Sequence, residues 1–451
     1  MATRIGRHGE SPKRAVAERG PLPPKARAGQ PAVAVLPFLD LRKETGDAPL
    51  AEGMAEELIQ ALNQVEGLWA ISRTTSFPYG GSSLPPSEVG RRLQADAVLA
   101  GSLMEREGRL VLQAALIEVA TDRQIWTLTQ AFDPQDLFPV LEDTARGAAA
   151  ALRLPASFRP RRPVAPDAYG CYLRGRQYYY RFNRRGMGFA AEMFRHALDL
   201  DPGYASAWAG LANTAAYAYI YIERNEPQRE LAESCSLKAL ELDPDLAEAH
   251  AARGVALSAA GRAEDAEEAF ETALRLDPNL YEAAYFYARH CLAAGKLERA
   301  AEYFEWAAAL RPEDFQAILL VAQVYHSLGV EDEAERARRK GLALVRTRLE
   351  REPDDIRARY LGANALVALG DREQGLAWAR MARSLDPEDP MLLYNLGCIH
   401  ALAQDPEEAL DCLERAVAAG LTQKAWFLHD GDLDAVRAHP RFQRLMEGLK
   451  D

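Results

Sequence analysis

The sequence has no apolar run of about 18 residues and no sustained Gly-X-Y or heptad period. These absences exclude a membrane-spanning helix, a collagen-like fibre and a long coiled coil. Only five cysteines occur among 451 residues; they are far apart and form no CxxC pair. An odd number of scattered cysteines argues against a disulfide framework and a zinc knuckle, and it fits a reducing compartment. Hydrophobic residues make up 48% of the chain, which is enough for two or three ordinary cores.

The common catalytic motifs are also missing. No GxxxxGK[ST], GxGxxG, HExxH or GxSxG sequence is present. His250, His290 and His326 lie in three different predicted helices and at a different position within each. Their nitrogens are therefore not expected to converge on a metal ion. We therefore predict a protein without enzyme activity, cofactor or metal.

Charge is distributed unevenly along the chain. Residues 1–30 carry seven basic and two acidic side chains with four prolines and no apolar signal-peptide core, whereas the whole chain has a net charge of −12. This basic arm is predicted to be solvated, with binding to nucleic acid or acidic lipid as the alternative. The acidic remainder is a poor match for a phosphate backbone, so no nucleic-acid partner is expected, and the location is predicted to be cytoplasmic.

A repeat occupies the carboxyl-terminal half. Pro244, Pro278 and Pro312 are 34 residues apart, and Pro353 and Pro387 are again 34 apart. Each proline follows a stretch with helical periodicity, and a period of this length is typical of stacked pairs of helices.

Small side chains recur at fixed positions within each repeat. In one unit they are Gly254 in the first helix and Ala266 and Ala273 in the second, with Phe270 between them. Small residues allow two antiparallel helices to approach closely, and the phenylalanine fills the gap between neighbouring hairpins.

With these residues the chain resembles the tetratricopeptide repeat (TPR) family. The resemblance covers residues 167–420, about seven helical hairpins, and implies a right-handed all-α solenoid. Extra residues near 221–228 and 346–351 lengthen two units, and Arg338 and Gly341 replace the expected Phe and Ala. Residues 421–451 are predicted to form capping helices on the exposed end of the array.

The preceding residues, 31–158, follow a different pattern. Val33 to Phe38 is predicted as a buried strand, Ala51 to Val65 as a helix and Leu68 to Ser72 as a second strand. Including the segments that follow, the order is β-α-β-α-β-β-β-α, which predicts a mixed α/β sheet covered by helices on at least one face. Residues 159–166, rich in Pro and Arg, are predicted to be a linker.

Several short sequences in this region, among them Ala34-Val35-Leu36-Pro37-Phe38 and Gln124-Ile125-Trp126, resemble the TolB-like amino-terminal domain. The resemblance implies a bacterial regulatory protein in which that domain precedes a TPR array. In this family an adenylate cyclase, protein kinase or winged-helix module usually lies upstream, whereas only the basic arm is present in this sequence.

Two candidate binding surfaces follow. The TPR resemblance implies that four positions of each first helix line a concave groove, where Tyr and Arg suit a protein or peptide partner. The predicted groove residues are Asn213, Glu248, Tyr285, Arg289, Gln323, His326, Arg357, Tyr360, Asn364 and Tyr394. The alternative for the three tyrosines is packing between hairpins. At the carboxyl end of the second strand, Arg73, Thr74, Thr75 and Ser76 form a possible ligand edge, with a turn network as the alternative.

The sequence therefore predicts a non-enzymatic adaptor or scaffold in bacterial signalling, with a partner held in the TPR groove. One alternative is a ligand-sensing subunit whose amino-terminal domain binds a small anion or nucleotide. A third is the remnant of an adenylate cyclase or protein kinase. The partner's identity and the oligomeric state are left open.

Overall fold

The structure is a computed structural model that describes residues 30–42, 48–71, 73–156, 162, 164–312 and 314–449. The predicted basic arm, except its last residue, and half of the predicted linker lie outside these ranges. An amino-terminal mixed sheet with helices is followed by a long helical array, as the sequence predicts.

The sheet has six strands, in the order β3-β1-β4-β5-β6 with β2 alongside β4. β1 lies parallel to β3 and β4, whereas β4, β5 and β6 form an antiparallel meander. The strands are β1 Ala32–Val35, β2 Leu39–Asp40, β3 Trp69–Ile71, β4 Ala97–Arg106, β5 Arg109–Glu118 and β6 Arg123–Phe132. The helices of this part are α1 Ala48–Asn63, α2 Arg73–Ser76, α3 Pro86–Leu93 and α4 Leu137–Ala151.

The first strand differs from the sequence prediction. Val33 to Phe38 was expected to be one strand, but β1 ends at Val35 and the short β2 begins at Leu39. Pro37 lies between the two segments and has no backbone N–H to donate to a neighbouring strand, which accounts for the interruption.

Fourteen helices, α5 to α18, form seven antiparallel hairpins. The first helices of the hairpins are α5 Pro166–Tyr179, α7 Ala205–Tyr221, α9 Ala247–Ala259, α11 Tyr281–Ala293, α13 Phe315–Ser327, α15 Ile356–Ala368 and α17 Pro390–Leu402. The second helices are α6 Arg184–Leu200, α8 Glu226–Leu242, α10 Ala263–Leu276, α12 Leu297–Leu310, α14 Glu331–Arg351, α16 Arg372–Leu385 and α18 Pro406–Ala418. The chain ends with α19 Lys424–His429, a 3₁₀ turn at Gly431–Leu433 and α20 Pro440–Gly448.

Small residues bring the two helices of each hairpin together, as the pattern predicts. Ala266 and Ala273 of α10 are fully buried, and so is Phe270 between them. A Cβ atom added to Gly254 of α9 would lie 2.8 Å from the Phe270 ring, so this position has room only for a hydrogen atom. Gly397 of α17 has the same relation to Leu413 of α18. Close packing of the two helices therefore requires small residues at these positions of the repeat.

The two irregular units accommodate their extra residues in longer helices. α14 has 21 residues, against 14 in α10 and α12, and its added turns contain the insertion near 346–351. α7 and α8 have 17 residues each. The insertion near 221–228 spans the end of α7, the connection and the start of α8. Gly341, which replaces the usual alanine, lies against Leu319 of α13.

Within the described part of the chain, no helix is both long enough and apolar enough to cross a membrane.

Candidate partner-binding site

Side chains from several first helices meet in the interior of the array, along a line that we call its axis. The surface that α7, α11, α13, α15 and α17 form there is called the inner wall. Phe182, just after α5, lies 6.4 Å from the ring of Tyr285 on α11. The guanidinium of Arg357 on α15 lies 5.3 Å from the Phe182 ring and donates a 2.8 Å hydrogen bond to the Tyr285 hydroxyl. The first, fourth and sixth hairpins therefore meet along the axis, and this part of the interior is filled by side chains.

A second contact across the axis is ionic. Glu282 of α11 accepts a 2.9 Å hydrogen bond from Arg311 and another from the Tyr180 hydroxyl. Arg176 of α5 donates to the Tyr180 hydroxyl at 2.9 Å and forms a 2.7 Å ion pair with Glu56 of α1. This network joins the fourth hairpin to the first, and the first to the sheet-bearing part of the chain.

A segment of the chain itself lies on the inner wall. We call residues 421–434 the C-terminal segment. Asp432 accepts hydrogen bonds from the side-chain amides of Asn364, at 2.7 Å, and Gln323, at 3.3 Å. The backbone N–H of Gly431 donates to the Ser327 hydroxyl at 3.1 Å. The hydroxyl of Tyr394 donates to Asp430 at 2.8 Å. Side chains of α13, α15 and α17 thus hold this acidic turn through polar contacts.

The start of the C-terminal segment contacts a different part of the inner wall, which is formed by α7 and α11. Gln423 donates a 2.6 Å hydrogen bond to the backbone carbonyl of Ile220, at the end of α7. The Trp426 ring stacks on Tyr221, with centroids 5.3 Å apart. Arg289 of α11 lies over Tyr221 at 4.3 Å and near Trp426 at 5.9 Å.

The same region packs on the last hairpin. Phe427 and Leu433 are fully buried in a cluster with Leu413 of α18, and Phe442 of α20 joins that cluster. Leu428, in contrast, is 48% exposed. The residues after α18 therefore contact both the end of the array and its inner wall.

The structure corrects the expectation that the groove residues face an open trough. Tyr285, Arg357, Tyr360, Asn364 and Tyr394 are all buried. Their burial has two causes: the winding of the array brings Phe182 onto Tyr285 and Arg357, and the C-terminal segment covers Asn364 and Tyr394.

The other predicted groove residues are half-buried. Arg289 and Gln323 contact the C-terminal segment, as described above. His326 donates a 2.5 Å hydrogen bond from Nδ1 to the Glu331 carboxylate at the start of α14, so its ring is held at that end of the hairpin. Glu248 lies close enough to Tyr172 that its charge helps burial to raise the pKa of that phenol. The side-chain oxygen of Asn213 on α7 is buried and has no hydrogen-bond partner among the residues that the structure describes.

At the possible ligand edge after β3, the structure favours the alternative of a local turn over a ligand site. Residues 73–76 form the helical turn α2, and Arg73 pairs with Glu52 at 3.1 Å and Glu56 at 3.5 Å. The cation that would attract an anion is thereby neutralised within the protein, and Ser76 is fully buried. The side chains of Thr74 and Thr75 lie outside the described part.

Sequence reasoning missed the residues that cover the wall. Asp430, Asp432 and Trp426 were treated as part of a terminal cap, and Tyr221 as part of an insertion. A usable signal was present, because Asp430-Gly431-Asp432 combines two acceptors with a glycine at a tight turn, opposite a wall of amide and hydroxyl donors.

Asp432 makes this contact sensitive to pH. Burial, reinforced by the charge of Asp430, raises its pKa from 3.8 to about 7, although Asn364, His326 and Arg338 act in the opposite direction. The docked state therefore holds a proton that the released segment gives up, so docking weakens as pH rises from about 4 to 7.

We expect trypsin to cleave after Lys424 increasingly faster in the wild type than in Asp432→Asn as pH rises through this range. The asparagine keeps the acceptor for Asn364 and removes the titration, and the ratio of the two rates cancels the pH dependence of trypsin. Asp430, Tyr394 and His326 are common to both proteins. A ratio that stays constant across the range would contradict a titrating contact at Asp432.

Comparison with known proteins identifies the repeat. Residues 228–281, 251–314, 288–348 and 360–423 match the family model described as tetratricopeptide repeat. A protein of Rhizobium meliloti (strain 1021) named "Putative adenylate cyclase 3" is 31% identical over 255 residues, which are 55% of this chain and 43% of the relative. The chain therefore spans less than half the length of that curated relative.

Solved structures with similar folds include YrrB, described as a TPR protein with an unusual peptide-binding site. It is 20% identical, with a TM-score of 0.28, over 47% of this chain and 97% of that one. A tetratricopeptide repeat protein from Parabacteroides merdae ATCC 43184 is 16% identical, with a TM-score of 0.36, over 60% of this chain and 98% of that one. The helical array of this chain therefore contains tetratricopeptide repeats, which the family model matches over residues 228–348 and 360–423.

Proposed function

We propose that the protein is a non-enzymatic adaptor whose inner wall binds a segment of a partner protein. The observation that supports this most is the C-terminal segment, because its acidic turn is held by Asn364, Gln323 and Tyr394 in the manner of a bound peptide. The partner segment would replace it and would carry carboxylates at the positions of Asp430 and Asp432.

The setting proposed for this adaptor is cytoplasmic signalling or regulation in a bacterium. The resemblance of the amino-terminal sheet to the TolB-like domain supports it, because that domain precedes TPR arrays in bacterial regulators. An acidic chain with a net charge of −12 favours a protein partner over nucleic acid.

The first test compares the wild type with a variant in which the C-terminal segment is released from the wall. Asp432→Lys removes the acceptor for Asn364 and Gln323 and places a charge in a buried site, so the C-terminal segment is released and the wall is exposed. A partner that co-purifies with the wild type is then measured by quantitative mass spectrometry. We expect Asp432→Lys to retain more of that partner than the wild type.

Adding Asn364→Ala and Gln323→Ala to the released variant removes the wall's donors and is expected to lower recovery below that of Asp432→Lys alone. Arg339→Ala in the same background, on an exposed side chain of α14, is the matched control. Equal recovery by the triple variant and by Asp432→Lys would overturn the proposed wall.

A further inference from the structure

A cavity of about 500 Å³ lies between the ends of α7, α9 and α11 and the C-terminal segment. Its lining includes Tyr219, Phe286 and Trp426 as aromatic walls and Arg224, Arg229 and Arg289 as cations. No aspartate or glutamate is among the described residues that line it. This is unusual in a chain with twelve more acidic than basic residues, and it gives the cavity a positive potential.

Arg289 is the central cation of this cavity. Its guanidinium lies 4.3 Å from the centroid of Tyr221 and donates to the Tyr285 hydroxyl at 3.3 Å. Among the residues that the structure describes, no carboxylate lies within 4.0 Å of it. The described contacts of this largely buried guanidinium are with the aromatic side chains of Tyr221, Tyr285 and Trp426, so it keeps donors available for an anion.

Arg224 supplies a second cation at the rim. It donates to the Tyr219 hydroxyl at 3.0 Å and to Thr422 at 3.2 Å, and within the described ranges it too has no carboxylate within 4.0 Å. Arg229 differs, since Glu226 and Glu233 neutralise it. The positive charge available to a ligand therefore comes from Arg289 and Arg224.

We propose that this cavity binds a small organic anion with a flat apolar body, its carboxylate or phosphate on Arg289 and its ring against Phe286 and Trp426. The volume is in the range of ordinary small-molecule sites. Such sites are typically lined by aromatic side chains with a small number of convergent polar groups, as this cavity is. The site is separate from the acidic turn at Asp430 and Asp432 and does not depend on a partner protein.

Binding at this site is coupled to the C-terminal segment. Gln423 and Trp426 form one side of the cavity and belong to the segment that covers the inner wall. A ligand that contacts them binds only the docked state well, so it stabilises that state by mass action.

The experiment uses 2-naphthoate and its neutral analogue 2-naphthamide, titrated into the full chain by calorimetry. The two probes share ring and shape and differ in charge. We expect the acid to bind about ten- to a hundredfold more tightly than the amide, as a charge-assisted contact with arginine requires. At a probe concentration between the two dissociation constants, hydrogen exchange should slow in residues 286–290 and 423–426 with the acid and change little with the amide. Equal affinity for both probes, no binding of the acid, or protection that spares residues 286–290 and 423–426 would overturn the site.

Variants at position 289 test whether Arg289 is the cation that the anionic probe contacts. Arg289→Gln is expected to remove most of the preference for the acid, Arg289→Lys to retain part of it, and Arg339→Gln on the exposed face of α14 to leave it unchanged. If Arg289→Gln does not fold, the affinities of the acid and the amide for the wild type and for Arg289→Lys still test whether Arg289 provides the preference for the acid. A full preference for the acid in a folded Arg289→Gln protein would contradict the role of this residue.

Discussion

Replacement of Phe270 by alanine is expected to lower the free energy of unfolding by about 3–5 kcal/mol. The ring is fully buried, lies against Gly254 of the facing helix, and stacks on Tyr287 of the next hairpin with centroids 5.3 Å apart. Its removal leaves a cavity that rigid helix backbones cannot fill. Urea unfolding followed by circular dichroism measures the change.

The matched control is Phe189→Ala. This phenylalanine is on α6 and is 50% exposed, with one ring contact to Tyr178 at 5.2 Å. We expect its loss to cost less than about 1 kcal/mol, because little apolar surface is removed from water there. Similar losses for the two variants would mean that Phe270 does not fill the space between hairpins.

The second large effect is expected from Glu282→Gln, which should cost about 3–5 kcal/mol. Burial opposes ionisation of Glu282, but Arg311, Arg176 and the Tyr180 hydroxyl outweigh it and hold its pKa below the ordinary value. The neutral amide leaves the Arg311 guanidinium without its carboxylate inside the array, whereas Arg176 keeps its ion pair with Glu56. Urea unfolding at neutral pH measures the loss.

Glu268→Gln is the control for this charge, since Glu268 is exposed on α10 and should change stability by less than about 0.5 kcal/mol. The difference between the variants should shrink in acid. A depressed pKa means that the stabilisation exists above the pKa of the unfolded chain and is lost as pH falls through the lower, folded value. A loss for Glu282→Gln no greater than for Glu268→Gln would exclude an ionic contact between the first and fourth hairpins.

The repeat shows how much of the fold the sequence predicts. Gly254, Ala266, Phe270 and Ala273 interact with neighbours within one hairpin or the next, so their spacing along the chain contains the relevant geometry. The prediction of stacked hairpins is confirmed because a solenoid is built from such local contacts.

The contacts along the axis could not be predicted in the same way. Tyr285 meets Arg357, which is 72 residues away, and Asn364 meets Asp432, which is 68 residues away. These pairs depend on the small rotation between successive hairpins, summed over several units, and the sequence of one hairpin does not specify that sum. For this reason the sequence placed Tyr285 and Asn364 on an open surface, whereas the structure buries them.

The amino-terminal edge illustrates a different limit. Arg73 follows a strand end, which is where open α/β sheets bind ligands. Its partners Glu52 and Glu56 are on α1, and their approach depends on how that helix packs on the sheet. Strand order alone therefore could not distinguish a ligand site from an internal ion pair.

The central claim, that the C-terminal segment lies on the inner wall, is tested most directly by a disulfide between residues 327 and 431. A Cβ atom at Gly431 would lie 3.4 Å from the Cβ of Ser327, close to the separation that a disulfide needs. We expect Ser327→Cys with Gly431→Cys to cross-link under mild oxidation, as detected by mass spectrometry of the unreduced tryptic peptides. Ser384→Cys with Gly431→Cys, which uses an exposed position on α16, should remain reduced. A first pair that stays reduced, or equal cross-linking of both pairs, would contradict the claim.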